Sequence, residues 1–279
     1  MRNFIRRCLS LPLILGLGLS LGACAKVPGT GRSQLSLVND KALTTMAAQQ
    51  YSQLMKQQPL SSEAKGTAQV KRVGAKLARA AETLLKEEGR AAETADYKWE
   101  FNLIESKEAN AFCMPGGKVG IYTGLLPYTK DDAGLAVVMG HEIAHAIAHH
   151  SRERASQELL ANLGGNILDI GLRARGESAL TYQMAMSAYG LGSQVGVILP
   201  FSRIHESEAD RIGLTLMAMA GYDPEQAMPF WRRFSESSKN KGGLAFLSTH
   251  PTHRARLEGL EKYLPEAKAR YQTAKRKKS

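Results

Sequence analysis

The sequence predicts an α+β domain in which helices dominate and a small, antiparallel sheet precedes one buried central helix. Three features carry this reading. Apolar residues recur at helical spacing through much of the chain, as in Val70, Val73, Leu77, Ala80, Ala81, Leu84 and Leu85. Alternating stretches rich in aromatic and branched residues lie between about residues 97 and 123. The run from Leu135 to Ile147 is apolar apart from Gly140, His141, Glu142 and His145, which describes a helix buried on nearly every side.

The elements follow in order. Arg6 and Arg7 precede an apolar run, Leu9 to Leu21, too short to span a bilayer comfortably, which ends in Leu21-Gly22-Ala23-Cys24. This resembles a bacterial lipobox. Residues 1–23 are therefore expected to be a lipoprotein signal peptide, with Cys24 the lipidated first residue of the mature chain. Ala25, not aspartate, follows the cysteine, and by resemblance to enterobacterial lipoprotein sorting this implies the outer membrane, with the domain facing the periplasm, over the inner membrane. Residues 24–36, with Pro28-Gly29-Thr30-Gly31, are expected to be a tether. Helices are expected over about 38–55 and 62–88, the second ended by Gly89. Strands are expected over 97–104, from Asn110 into the turn Pro115-Gly116-Gly117, and over 118–123. Asp131 and Asp132 then open the central helix, which is expected to run through residue 150 or beyond.

Residues 152–200 have a mixed helical pattern broken by Gly164, Gly165, Gly171 and Gly176. The apolar stretch from Ala185 to Leu199 is too short and interrupted for a membrane span and suits a surface helix or a membrane-touching loop. Further helices are expected over 202–220, from Pro224 to about Phe234, and over 254–263. One domain, 37–270, and a basic tail, 271–279, complete the division.

With 43% hydrophobic and 23% charged residues the chain is an ordinary globular one. The formal charge of +11 includes three arginines of the signal segment and part of the tail. No nucleic-acid module is present and no aromatic residues interleave the basic ones, so nucleic acid is not an expected partner. Of three cysteines, Cys8 leaves with the signal and Cys24 carries lipid; Cys113 is left alone, without a disulfide partner, and reads as a small buried hydrophobe.

The chemistry concentrates in His141-Glu142-Ile143-Ala144-His145. Residues four apart share a helix face, so both imidazoles can meet one ion, and Glu142 lies beside that face within reach of a water on the ion's open side. A catalytic zinc takes three protein ligands and keeps one position open. Glu206, on a later helix, can complete the set, and Asp210, four residues on, can accept the spare N–H of a ligand histidine. One zinc ion per chain is expected, and Glu208 reads as a surface charge. His149 would lie about 12 Å along the axis from His141, too far to share its ion, so His149 and His150 read as structural or surface residues. His250, followed by Pro251 and Arg256, is placed either to approach the metal, to bond a reacting oxyanion, or as an ordinary loop residue.

Taken together, several pieces resemble the HtpX and CAAX-prenyl-protease superfamily of zinc metallopeptidases, in particular its bacterial periplasmic lipoprotein branch related to the Oma-type protease. They are Asn110-Ala111-Phe112 with Pro115-Gly116-Gly117, Thr123-Gly124-Leu125-Leu126, the histidine motif with His149-His150, Ser202-Arg203 with Glu206 to Asp210, and His250-Pro251. The resemblance implies a gluzincin-type fold and endopeptidase activity on unfolded or misassembled envelope proteins. It implies His141, His145 and Glu206 as ligands, Glu142 as base and Asp210 behind a ligand. It also implies a strand edge that pairs with extended substrate, at Asn110 and Ala111 or at Val119 and Ile121. The membrane helices of the embedded members have no counterpart here, which argues against a prenylated substrate. Two other readings are a non-catalytic lipoprotein chaperone or scaffold, which would need no Glu142, and a zinc amidase acting on cell-wall peptide.

Overall fold

A computed structural model describes residues 24–240, 244–250 and 254–276. The expected signal peptide, Pro251 and the last three residues lie outside that description. Two short strands, β1 (Cys24–Lys26) and β2 (Ser33–Leu35), form an antiparallel hairpin. Helices α1 (Asp40–Gln57) and α2 (Ala64–Glu87) follow, then β3 (Glu100–Ile104), β4 (Ala111–Met114) and β5 (Lys118–Tyr122). The central helix is α3 (Asp132–Ile147). Next come α4 (His150–Ala174), α5 (Ala179–Ser193), a π-helical turn (Gln194–Ile198), α6 (Leu199–Ala220), α7 (Ala227–Asn240) and α8 (Arg254–Arg276).

The helix-dominated α+β class is as expected, and the details differ for physical reasons. The β4–β5 hairpin is antiparallel, turned by Gly116 and Gly117 at φ +84° and +86°, a conformation that favours glycine. β3 joins the other side of β5 in parallel, giving the order β3-β5-β4. The sheet is therefore mixed, because residues 105–110 carry the chain past β5 before it turns back. Val119 and Ile121 sit on the central strand and are fully buried, so they cannot serve as a substrate-pairing edge. The outer side of β3 is covered by residues 59–61, with Ser61 N–H donating to Leu103 O and Glu105 N–H to Pro59 O.

The expected tether is an ordered hairpin seated on the domain. Val27 is buried, Gly29 N–H donates to Glu88, and the Arg32 guanidinium reaches Glu153 on α4. The apolar stretch 185–199 runs along α5 and the π turn as exposed surface, with Leu191, Val195 and Leu199 outward. Among the described residues no helix is long and apolar enough to cross a membrane. The last helix extends thirteen residues beyond the expected stop at Tyr263 and includes Lys275 and Arg276 of the expected tail.

What positions the site is a layered core. Asp131 caps α3 by accepting Gly134 N–H. Behind it, Leu135, Val138, Met139, Ile143 and Ile147 are buried between α2, the sheet and α6. α8 closes on the far side of α6 and brings Arg256 inside.

Candidate metal centre

His141 and His145 leave α3 on one face, and Glu206 meets them from α6. His141 Nε2 and His145 Nε2 are 3.1 Å apart; each lies 3.3 Å from a Glu206 oxygen. A tetrahedral zinc with bonds of about 2.0–2.1 Å holds its ligand atoms roughly 3.3 Å apart, so three vertices of such a site are present. Two imidazole nitrogens and a carboxylate are also the donor chemistry a catalytic zinc selects. His250, at the end of the short helix Ala245–Thr249, brings Nδ1 to 3.3 Å from His141 Nε2 and 3.0 Å from Glu206 Oε1. It therefore brings a fourth possible donor to the same centre. Of the alternatives open to it, the structure favours approach to the metal.

Asp210 lies where the four-residue register put it: with Nε2 directed at the ion, His141 Nδ1 donates to Asp210 Oδ1 at 3.0 Å. Arg256 holds that carboxylate with two bonds of 2.8 and 2.7 Å, and its guanidinium lies 3.8 Å over the Trp231 ring. Trp231 and Phe246 in turn pack edge-on against His141, at 5.8 and 6.2 Å. The two rings form an apolar wall against His141.

The charges follow from these contacts. Burial lowers the pKa of His141 and the neighbouring Arg256 pulls the same way, but Asp210 and Glu206 outweigh both and push it up to about 9. Burial drives His145 well below its ordinary value, leaving it a neutral donor. Glu206, although burial opposes it, is held far below the carboxylate range by His141, His145 and His250. Glu142 moves the other way: burial raises its pKa, and the facing imidazoles recover only part of the shift. Its Oε1 is buried, has no hydrogen-bond partner among the described residues, and faces His250 Nε2 at 3.5 Å. A buried carboxylate oxygen lacking a partner beside a metal centre is poised to take a proton.

β4 passes along this carboxylate. Tyr122 N–H donates to Asn110 O, which sets the ladder so that Asn110, Phe112 and Met114 bond inward to β5. The main-chain groups of Ala111 and Cys113 therefore face away from the sheet, and Cys113 N–H reaches Glu142. Ala111 is on the free edge; Asn110 acts locally, its Oδ1 accepting Ala111 N–H at 2.9 Å. The Cys113 thiol is half-buried, and burial raises its pKa.

Two expectations near the centre are overturned. Glu208 is buried rather than a surface charge, since α6 is covered there by the N-terminal hairpin. α3 ends at Ile147, and His149 adopts a left-handed backbone with φ +56°, so the helix face is reset. As a result His149 turns to Glu93 and Asp40, while His150 swings back to His145, Nδ1 to Nδ1 at 2.8 Å. Sequence reasoning read His150 as a structural or surface residue without giving it a partner, and gave no role to Arg256 or Trp231. The paired histidines directly after the motif were the available signal.

Comparison with known proteins agrees with this geometry. Residues 65–264 match the family described as Peptidase family M48. Over 188 residues the chain is 37% identical to mitochondrial metalloendopeptidase OMA1 of Schizosaccharomyces pombe, covering 64% of this chain and 51% of that protein. It is 34% identical over 175 residues to the Homo sapiens OMA1 metalloendopeptidase, covering 61% of this chain and 33% of the relative. It is 34% identical over 166 residues to the β-barrel assembly-enhancing protease of Yersinia pestis, covering 56% and 32%. The chain thus spans about half the length, or less, of these relatives. Both ligand-bearing helices fall inside the family match, and the chain belongs to peptidase family M48, with a centre built for zinc.

Proposed function

We propose that this chain is a zinc-dependent endopeptidase that hydrolyses unfolded or misassembled proteins of a bacterial envelope. The observation that carries the proposal is Glu142 Oε1, buried and unpartnered beside the His141–His145–Glu206 donors and the free edge of β4. His141, His145 and Glu206 would hold a zinc that, when bound, would polarise a peptide carbonyl and lower the pKa of water to about 7. Glu142 takes the proton of the attacking water on Oε1 and delivers it to the leaving amine. The outward carbonyls of Ala111 and Cys113 accept from an extended peptide, their N–H groups being taken by Asn110 Oδ1 and Glu142, so affinity comes from backbone bonds and sequence preference is low. His250, beside His141 and Glu206, would hold a fourth donor against the same centre. Digestion of casein with and without a chelator is the direct test.

The envelope assignment rests on residues 1–24 and on one relative's name, which ties that protein to β-barrel assembly. Lipidation of Cys24 would place the domain at the outer membrane, facing the periplasm. Fractionation and mass spectrometry of the mature N-terminus test it. A Cys24→Ser chain is expected to be soluble or unprocessed, and a membrane-bound, processed Cys24→Ser chain would contradict the anchor. Substrates held by a Glu142→Gln variant in the envelope would identify what the enzyme acts on.

A further inference from the structure

The hairpin ahead of the family match contributes Arg32, and Arg32 heads a chain of buried polar contacts that ends on a metal donor. His145 directs Nε2 at the centre, so its ring proton must sit on Nδ1. That proton points at His150 Nδ1, 2.8 Å away, which must therefore be an acceptor. His150 is then protonated on Nε2, and this N–H faces Glu208 Oε2 at 3.4 Å. Glu208 is held in place by the Thr30 hydroxyl at 2.6 Å and by Arg32, with Nε at 2.8 Å and Nη2 at 2.7 Å. Arg32 also grips Glu153 through Nη1 and Nη2, at 2.8 and 2.6 Å. Glu153 Oε2 accepts from His205 Nε2 at 2.8 Å, and the His205 ring stacks on His150 with centroids 4.3 Å apart and planes 15° apart. One guanidinium thus fixes His150 twice: at its edge through Glu208, and on its face through Glu153 and His205.

We propose that Arg32 is a positioning residue for the metal centre, acting through Glu208 and His150 to hold His145 in the tautomer and orientation that present Nε2. This rests on the metal-centre reading above and adds to it a residue outside residues 65–264. The physical reason is the arrangement's one-way logic. His150, His205, Glu153 and Glu208 are all buried, and the only cation among the contacts described for both carboxylates is Arg32. Without it two buried carboxylates lose their counter-ion, Glu208 is free to turn, and His150 no longer has a fixed acceptor for its Nε2 proton. His150 can then carry its proton on Nδ1, where it opposes the Nδ1 proton of His145, and His145 is left free to rotate or to protonate Nε2. A hairpin that merely covered the domain would need none of this order.

Arg32→Ala in the full-length chain tests it, with zinc affinity read by chelator competition and ligand geometry read from the visible spectrum of the cobalt-substituted protein. Expected are a loss of zinc affinity of about 10–100-fold and an altered cobalt spectrum, in a chain whose circular dichroism is unchanged. Glu88→Ala is the control: it removes the acceptor of Gly29 N–H and loosens the same hairpin without touching the relay. It should leave affinity and spectrum unchanged. Zinc affinity of folded Arg32→Ala within twofold of the parent overturns the proposal. So does an equal loss in both variants, which would make the effect one of hairpin docking. If Arg32→Ala does not fold, Glu208→Gln, which keeps the shape and removes the charge, is expected to lose affinity to a similar degree; parental affinity there also overturns it. A parent chain that takes up no zinc removes the metal-centre reading, and the relay with it.

Discussion

Gly140 and Gly213 meet backbone to backbone where the two ligand-bearing helices cross. A Cβ added to Gly213 would lie 3.1 Å from the His141 nitrogen, and one added to Gly140 would lie 3.2 Å from Gly213 O. The separation of the two histidines from Glu206 is therefore set by the missing side chains at this crossing.

Gly213→Ala should accordingly push α6 away from α3 by a few tenths of an ångström. Because the crowded atoms are helix backbone, they cannot yield singly, and a stability loss of about 1–3 kcal/mol is expected. Zinc affinity should fall with it. Thermal melts of the zinc-loaded and chelator-treated variant check this, and a variant as stable and as metal-bound as its parent would show that the crossing does not set the site.

Glu142 should govern the acid limb of activity. Its pKa is raised, chiefly by burial, and the carboxylate must be deprotonated to accept a proton. Activity should therefore fall as pH drops through a value above the ordinary carboxylate range. Glu142→Gln should keep zinc and lose about 10²–10⁴-fold in kcat. Metal analysis beside a pH–rate profile decides it; undiminished turnover in the variant would remove Glu142 as the base.

Asp210 and Arg256 should act as a unit behind His141. Asp210→Asn and Arg256→Ala each remove a partner from one buried pair, at 2.7 Å. Each is expected to weaken zinc binding by about 10–100-fold, and the double variant by much less than the product. Independent, multiplying losses would show that the two do not share a role.

Acid should loosen the packing around the hairpin and α4. Burial alone would raise Glu153, but Arg32 and His205 lower it to about 2; for Glu93, His149 and Arg90 overcome burial with the same result. A depressed carboxylate stabilises the fold above its unfolded value and ceases to do so as pH falls through the folded one. Stability should therefore decline between roughly pH 4.5 and pH 2. Urea midpoints across that window check it, and Arg32→Ala should flatten the decline.

The helix that bears the motif was legible because burial and metal binding left one pattern: an apolar run interrupted at positions 141, 142 and 145. Glu206 and Asp210 were legible for a similar reason, since a helix fixes what lies four residues apart. The same rule failed two residues past the motif. It extended α3 through residue 150 or beyond, whereas the left-handed His149 turned the chain and sent His149 and His150 to different partners. Arg32 and Glu208 were out of reach because their contact joins residues 176 apart in sequence. Glycine, serine and proline in residues 25–36 suit a turn packed on a domain as well as a tether, and composition does not separate the two. The edge of the sheet escaped because strand order, not strand existence, decides which main chain is free.

The central claim is that this centre hydrolyses peptide bonds with zinc. Its most direct measurement is casein cleavage by the purified chain, followed alongside bound zinc through chelation and zinc return. The account predicts one zinc per chain, cleavage that disappears with the metal and returns with it, and none from Glu142→Gln at full zinc occupancy. A chain carrying its full zinc complement that cleaves no unfolded protein, or cleavage that survives complete removal of the metal, would contradict it.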